Sequence, residues 1–158
     1  MLDPNIVVRS LLIPISEGQL LIPGAIVAEV TNYKKPEPLT GTFPQWFLGM
    51  VLWRNQHVPV VSIEEFLTVG ATSPIQKSTR LIILYGLEAS QYMPFYAFIA
   101  ADIPRTLAVK DAILSNGQKS EKDGLEFDVE ITEHGRALLP DLSNLENTLR
   151  KLQLASGS

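Results

Sequence analysis

The sequence predicts a mainly β protein, built as two similar small barrels and closed by one C-terminal helix. Three observations predict it. Short apolar runs separated by polar turn residues recur along most of the chain. An order of run, hairpin, loop, hairpin and helical piece occurs twice. A single leucine stripe at helical spacing ends the chain. With 158 residues, 46% of them apolar, such a chain buries roughly 68–70% of its unfolded surface and needs no covalent staple.

Leu11-Leu12-Ile13-Pro14-Ile15 and Gln19-Leu20-Leu21-Ile22 flank Ser16-Glu17-Gly18, the mark of a hairpin. The apolar stretch from Gly24 ends in Ala28-Glu29-Val30, and residues 31–44 read as a long loop punctuated by Pro36, Pro38, Gly41 and Pro44. Gly49 to Trp53 and His57 to Val61 form a second hairpin around Arg54-Asn55-Gln56, followed by one helical turn over 63–67 and a polar linker over 68–78. Leu81 to Tyr85 and Phe95 to Ala100 pair around a polar turn near Glu88 to Gln91, and Ala101-Asp102-Ile103 ends a strand much as Ala28-Glu29-Val30 does. Residues 115–126 read as a polar loop, and Phe127 to Leu139 as a last hairpin turning at Glu133-His134-Gly135.

That last hairpin falls on residues 49–67 at a constant shift of 79, placing Ser62 on Asp141, Ile63 on Leu142 and Phe66 on Leu145. The expected organisation is one domain over 1–158, with sub-barrels over about 10–67 and 79–142 and a helix over 143–155. Leu142, Leu145, Leu149 and Leu152 share one helix stripe, and Ser143 with Glu146 makes a capping box, with Asp141 as a competing cap.

Composition excludes several function classes. Cysteine is absent, which removes disulfides, thiolate metal sites and cysteine nucleophiles. The formal charge is −4 with basic residues scattered, so no face gathers the cations that a phosphate backbone requires and no nucleic-acid partner is expected. Met1-Leu2-Asp3-Pro4 lacks the basic start of a signal peptide, and the longest apolar runs reach about half of the ~20 residues of a membrane helix. The expected setting is cytoplasmic, without membrane insertion. His57 and His134 lie in or beside hairpin turns with no carboxylate at metal-ligand spacing. No G-x-S-x-G elbow is present, and Gly117-Gln118-Lys119-Ser120 lacks the context of a phosphate loop. Adjacent Glu64 and Glu65 point about 100° apart on a helix and cannot share a substrate. The expectation is a non-enzyme with no cofactor and no metal.

The stretch from Phe47 to Val61, with Gly49 opening a strand, Trp53-Arg54-Asn55 at the turn and Pro59-Val60 on the return, resembles the central motif of CheW-like domains. Val27-Ala28-Glu29-Val30 is similar to that family's Val-x-Glu-Ile segment, and the resemblance covers roughly residues 10 to 154. Within the family, Leu11-Leu12-Ile13-Pro14, Ala28-Glu29-Val30 and Trp53-Arg54 look most like the ChpC-type members that serve type IV pilus twitching motility.

The resemblance implies two SH3-like five-stranded β-barrels sharing a core. It also implies a non-enzymatic adaptor that couples a chemoreceptor signalling tip to the regulatory domain of a CheA-type histidine kinase. Carried over by position, Val27, Glu29, Gly49 and Arg54 are the partner-binding residues, and Glu29 is expected to meet Arg54 through two hydrogen bonds of its planar fork. Each also has a plainer reading: Val27 as core, Gly49 as a close backbone approach, Arg54 as a solvated turn. Two departures stand out. Asn55 replaces the turn glycine, which its tolerance of positive φ permits, and Ser62 replaces an aspartate, which bears on affinity for an ordinary kinase. The rival reading is a small β-barrel that binds a small ligand or an oligonucleotide. Trp46, Phe47 and Trp53 supply its aromatics without the charge.

Overall fold

The chain follows the alternation of its apolar runs. In the computed structural model, which describes residues 7–72, 74–87, 93–110, 118–119, 125–131 and 135–152, β1 (Val7–Ile15) and β2 (Gly18–Pro23) form the first hairpin. A 3-10 turn over Gly24–Ile26 leads into β3 (Val27–Asn32). After a long loop come β4 (Phe47–Trp53), β5 (Gln56–Val61) and the short helix α1 (Ile63–Leu67). Then follow β6 (Arg80–Tyr85), β7 (Phe95–Ala100), β8 (Arg105–Lys110) and the two-residue β9 (Gln118–Lys119). β10 (Leu125–Ile131), β11 (Gly135–Pro140) and α2 (Leu142–Lys151) complete the described chain.

Two sheets result, in the orders β8-β1-β2-β11-β10-β9 and β3-β6-β7-β5-β4. Apart from β9 they share one plan. An antiparallel edge (β8/β1, β3/β6) leads to a hairpin (β1–β2, β6–β7). That hairpin touches the next strand in parallel (β2/β11, β7/β5), which then pairs in a second hairpin (β10–β11, β4–β5). The split expected at residues 68–78 does not divide the sheets. β1 and β2 join the C-terminal strands, so one sheet takes residues 27–100 and the other takes 7–23 with 105–140. The reason is edge pairing: β1 finds β8 and β2 finds β11, and nothing in the linker's polarity could show this.

The repeat itself is present. β5 and β11, and likewise α1 and α2, begin 79 residues apart. The shift is not constant. Both preceding strands carry a bulge at the same place, Phe47/Gly49 against Val61 and Val60, and Leu125/Phe127 against Pro140 and Leu139, which sets them 78 apart. The extra residue falls between β10 and β11, where Glu133 and His134 lie outside the described residues. The polar turn placed near Glu88 to Gln91 lies outside them too. β8 and β9 were not foreseen, and Ala101-Asp102-Ile103 is a bend between β7 and β8 rather than a strand end.

β6 and β7 are buried on both faces, which explains their unbroken apolar runs. Ile82, Leu84, Tyr96 and Phe98 face a shared core that includes Ile13, Leu20 and Ile22 from the other sheet and Leu145 and Leu149 from α2. Leu81, Ile83, Ala97 and Ile99 face a second cluster inside their own sheet, against Val51, Trp53, Val58 and Val60. The leucine stripe of α2 thus faces the shared core, as its spacing predicts.

Helix caps repeat as well. Ser62 Oγ accepts from Glu65 N at 3.3 Å, and Asp141 Oδ1 accepts from Asn144 N at 3.1 Å. Asp141 therefore wins over the Ser143–Glu146 capping box, and α2 runs over 142–151 rather than 143–155. Glu146 is occupied elsewhere. Fully buried, it accepts from Leu87 N at 2.6 Å, just past the end of β6, and from the Tyr96 hydroxyl on β7 at 3.5 Å. Glu64 of α1 does the mirror-image task, accepting from Ser16 N at 3.1 Å in the β1–β2 turn. Each helix thus sends a buried carboxylate to a backbone N–H of the opposite sheet's hairpin.

Burial pushes the Glu64 carboxyl up from the ordinary glutamate range, and neighbouring Glu65 adds in the same direction against the lowering effect of its hydrogen bonds. Its Oε1 has no hydrogen-bond partner among the described residues. A raised folded value means that stability from this group is fully present at acid pH and is lost as pH rises through that value. Glu64→Gln should remove this part of the decline. Urea melts of both proteins between pH 5 and pH 8 will show it as a flatter stability profile for the variant, and equal slopes would contradict it.

Candidate docking surface

β3 and β4 are the two edges of the five-stranded sheet. A bulge between Val27 and Glu29 sets Ala28 out of register with β6. The β4–β5 turn closes in two residues, Arg54 at φ 47° and Asn55 at φ 62°, the signature of a type I′ turn. Asn55 fills the glycine position as expected. Arg54 is the costly member, because a left-handed conformation costs a side-chain-bearing residue roughly 1–2 kcal/mol.

Arg54 and Glu29 do meet. Nη2 of Arg54 donates to Glu29 Oε1 at 3.0 Å, and the indole Nε1 of Trp53 donates to the same oxygen at 3.3 Å. The guanidinium carbon stands 4.6 Å from the centroid of the Trp53 ring. The expected two-bond fork is replaced by one guanidinium bond, and the indole supplies the second donor to that oxygen. Trp53 is itself braced edge-on by Phe95, at 4.8 Å between centroids. Side-chain exposures of 66% and 39% make this a surface pair worth only about 0–1 kcal/mol.

The other two predicted residues lie on the same strands but face protein. Val27 is half-buried against the shared core. Gly49, at φ 133°, is where the loop crosses β4: Glu37 N donates to Met50 O at 2.8 Å and Met50 N to Glu37 O at 2.9 Å. A Cβ on Gly49 would collide with the Glu37 carbonyl. Ser62 is fully buried; besides capping α1 it accepts from Thr72 Oγ1 at 2.6 Å, so its exchange for aspartate acts on the fold and not on a surface.

Sequence reasoning missed the groove between the two edges. It has a volume of about 410 Å³ and is lined by Val30, Lys34, Leu52, Trp53 and Ile83 as well as Glu29. Leu52 is 55% exposed and Val30 37%. The signal was available in the alternation: Val51 and Trp53 face inward, so Leu52 between them must face out. No helix among the described residues is long and apolar enough to cross a membrane.

The model of the CheW-like domain matches residues 9–145. A comparison with curated proteins finds no match. Among solved structures, the crystal structure of the scaffolding protein TtCheW from Thermoanaerobacter tengcongensis is similar with a TM-score of 0.71 and 15% sequence identity. The match covers 87% of this chain and 86% of that one.

Gly49→Ala should destabilise by about 2–5 kcal/mol, from a left-handed alanine and an overpacked backbone contact. A thermal melt will read it, and a melt within a degree or two of the parent would refute the crossing as the reason for this glycine.

Proposed function

Since the chain belongs to the CheW-like domain family, we propose that it is a non-enzymatic adaptor of chemotaxis-type signalling. It couples a chemoreceptor signalling tip to the regulatory domain of a CheA-type histidine kinase. The observation that carries this reading is Arg54. The residue sits in a left-handed turn, exposed, in a pair that adds little to stability, yet it is ordered by Glu29 beneath it and Trp53 behind it. A strained residue held by its surroundings at a surface serves recognition better than stability. Guanidinium and carboxylate together present a fixed charge pattern beside the apolar edges Val30 and Leu52.

Binding of the kinase regulatory domain or a receptor-tip fragment from the same organism should fall in the micromolar range, about −8 kcal/mol. Arg54→Gly relieves the left-handed strain while losing the pair, so its melting curve should stay within about 1 kcal/mol of the parent. Its affinity should drop at least tenfold. Glu29→Arg with Arg54→Glu recovers part of the binding if the pair acts by shape, and none if Arg54 touches the partner. Calorimetry beside melts checks each variant, and unchanged binding in Arg54→Gly would remove the residue from the site.

The finer assignment is to type IV pilus twitching motility, supported by Leu11-Leu12-Ile13-Pro14, Ala28-Glu29-Val30 and Trp53-Arg54. Deleting the gene should shrink twitching zones while leaving flagellar swimming rings unchanged. The reverse pattern would assign the adaptor to a swimming pathway.

A further inference from the structure

β4 turns two residues toward its free edge. Met50 offers its N–H and carbonyl there, since both bond to Glu37 across the gap. In a strand every second residue points the same way, so Leu52 offers its own pair two positions on. The rung does not continue to it: among the described residues the loop pairs with β4 only where Glu37 meets Met50. At Leu52 the one substitute among the described residues is a side chain: Lys34 Nζ donates to the Leu52 carbonyl over a long 3.4 Å.

The opposite wall is open too. β3 pairs with β6 along one side, and among the described residues no strand pairs with its other side. The β3 edge and the part of the β4 edge beyond Met50 therefore face each other across the groove, with exposed Val30 and Leu52 on its lips. An unpaired edge is a template for an added strand. About four extended residues, at ~3.3 Å each, would run the length of β3 that lines the groove. The charge at its end is positive: Lys34 and Lys35 are both exposed, while Glu29 on the lip is already paired with Arg54.

We propose that this groove binds an extended segment of a partner protein by strand addition at Leu52. The segment is apolar at alternate positions and carries an acidic side chain that meets Lys34 and Lys35. Lys34 gives up the Leu52 carbonyl to the incoming backbone and turns to the acidic group. The inference rests on the reading of this seam as the docking surface and names what enters it.

The test selects nine-residue peptides from a random displayed library against the full chain and titrates the synthesised winners. Enriched peptides should alternate apolar residues with at least one Asp or Glu. Leu52→Pro removes the outward N–H on an edge where proline is tolerated, and should weaken them at least tenfold. Should that variant fail to melt cooperatively, Leu52→Glu places a charge on the lip and should have the same effect. N-methylation of alternate peptide amides should also cost tenfold or more. Peptides that bind both variants and their N-methylated forms as tightly as the parent would overturn strand addition, as would a selection with no enrichment. If the kinase domain or receptor fragment still binds in an Arg54-dependent way, the docking reading survives that failure. Loss of both would remove it as well.

Discussion

A carboxylate leaves water at a cost of several kcal/mol unless it finds donors, and this protein buries two where its sheets meet. Glu64 and Glu146 each take a backbone N–H from the hairpin of the opposite sheet, Ser16 in one case and Leu87 in the other. Apolar packing alone, between Ile13, Leu20 and Ile22 on one side and Ile82, Leu84 and Phe98 on the other, tolerates sliding. The two carboxylates do not, because a shift of one residue would part buried oxygens from their N–H donors. They pin the β1–β2 and β6–β7 hairpins to each other's helices. The edges β3 and β4 flank this arrangement at the two ends of the five-stranded sheet.

Much of the fold was legible, and the physical reason is burial. Strands covered on both faces, such as β6 and β7, show as unbroken apolar runs, and the core face of α2 shows as a leucine stripe. β8 was harder, since Arg105 to Lys110 carries only Leu107 and Val109 at period two. A two-residue strand such as β9 has no period to detect. The pairing of β1 with β8 and β2 with β11 is a long-range event that local pattern does not encode. The cap of α2 turned on one residue: with Glu146 drawn inward to Leu87, the capping box lost its second half and Asp141 took the N-cap.

The site was legible where charge and turn chemistry met. Glu29 against Arg54 followed from the resemblance, and Asn55 from its tolerance of positive φ. The indole bond to Glu29 was hidden, because nothing in the sequence says that Trp53 aims its Nε1 across the seam. Lys34, Val30 and Leu52 were passed over as loop and strand residues, although an outward leucine between two inward side chains was readable. Within the loop punctuated by Pro36 and Pro38, nothing in the pattern marks Glu37 as the residue that bridges to Met50 on the β4 edge.

The two sheets share one strand plan but differ in where the chain is cut. For residues 27–100 every strand of the sheet is contiguous, so this half can assemble as soon as β7 has been synthesised. The other half has its first hairpin made before β3 and its remaining strands made after β7, and it stays incomplete until β11 emerges. During synthesis the early half would serve as a platform on which the waiting β1–β2 hairpin rests its apolar face. Closing the six-stranded sheet is then the late, long-range step, and non-local pairing of that kind is intrinsically slow. Ribosome pausing within residues 101–140 would prolong the interval in which β1 and β2 lack their final neighbours.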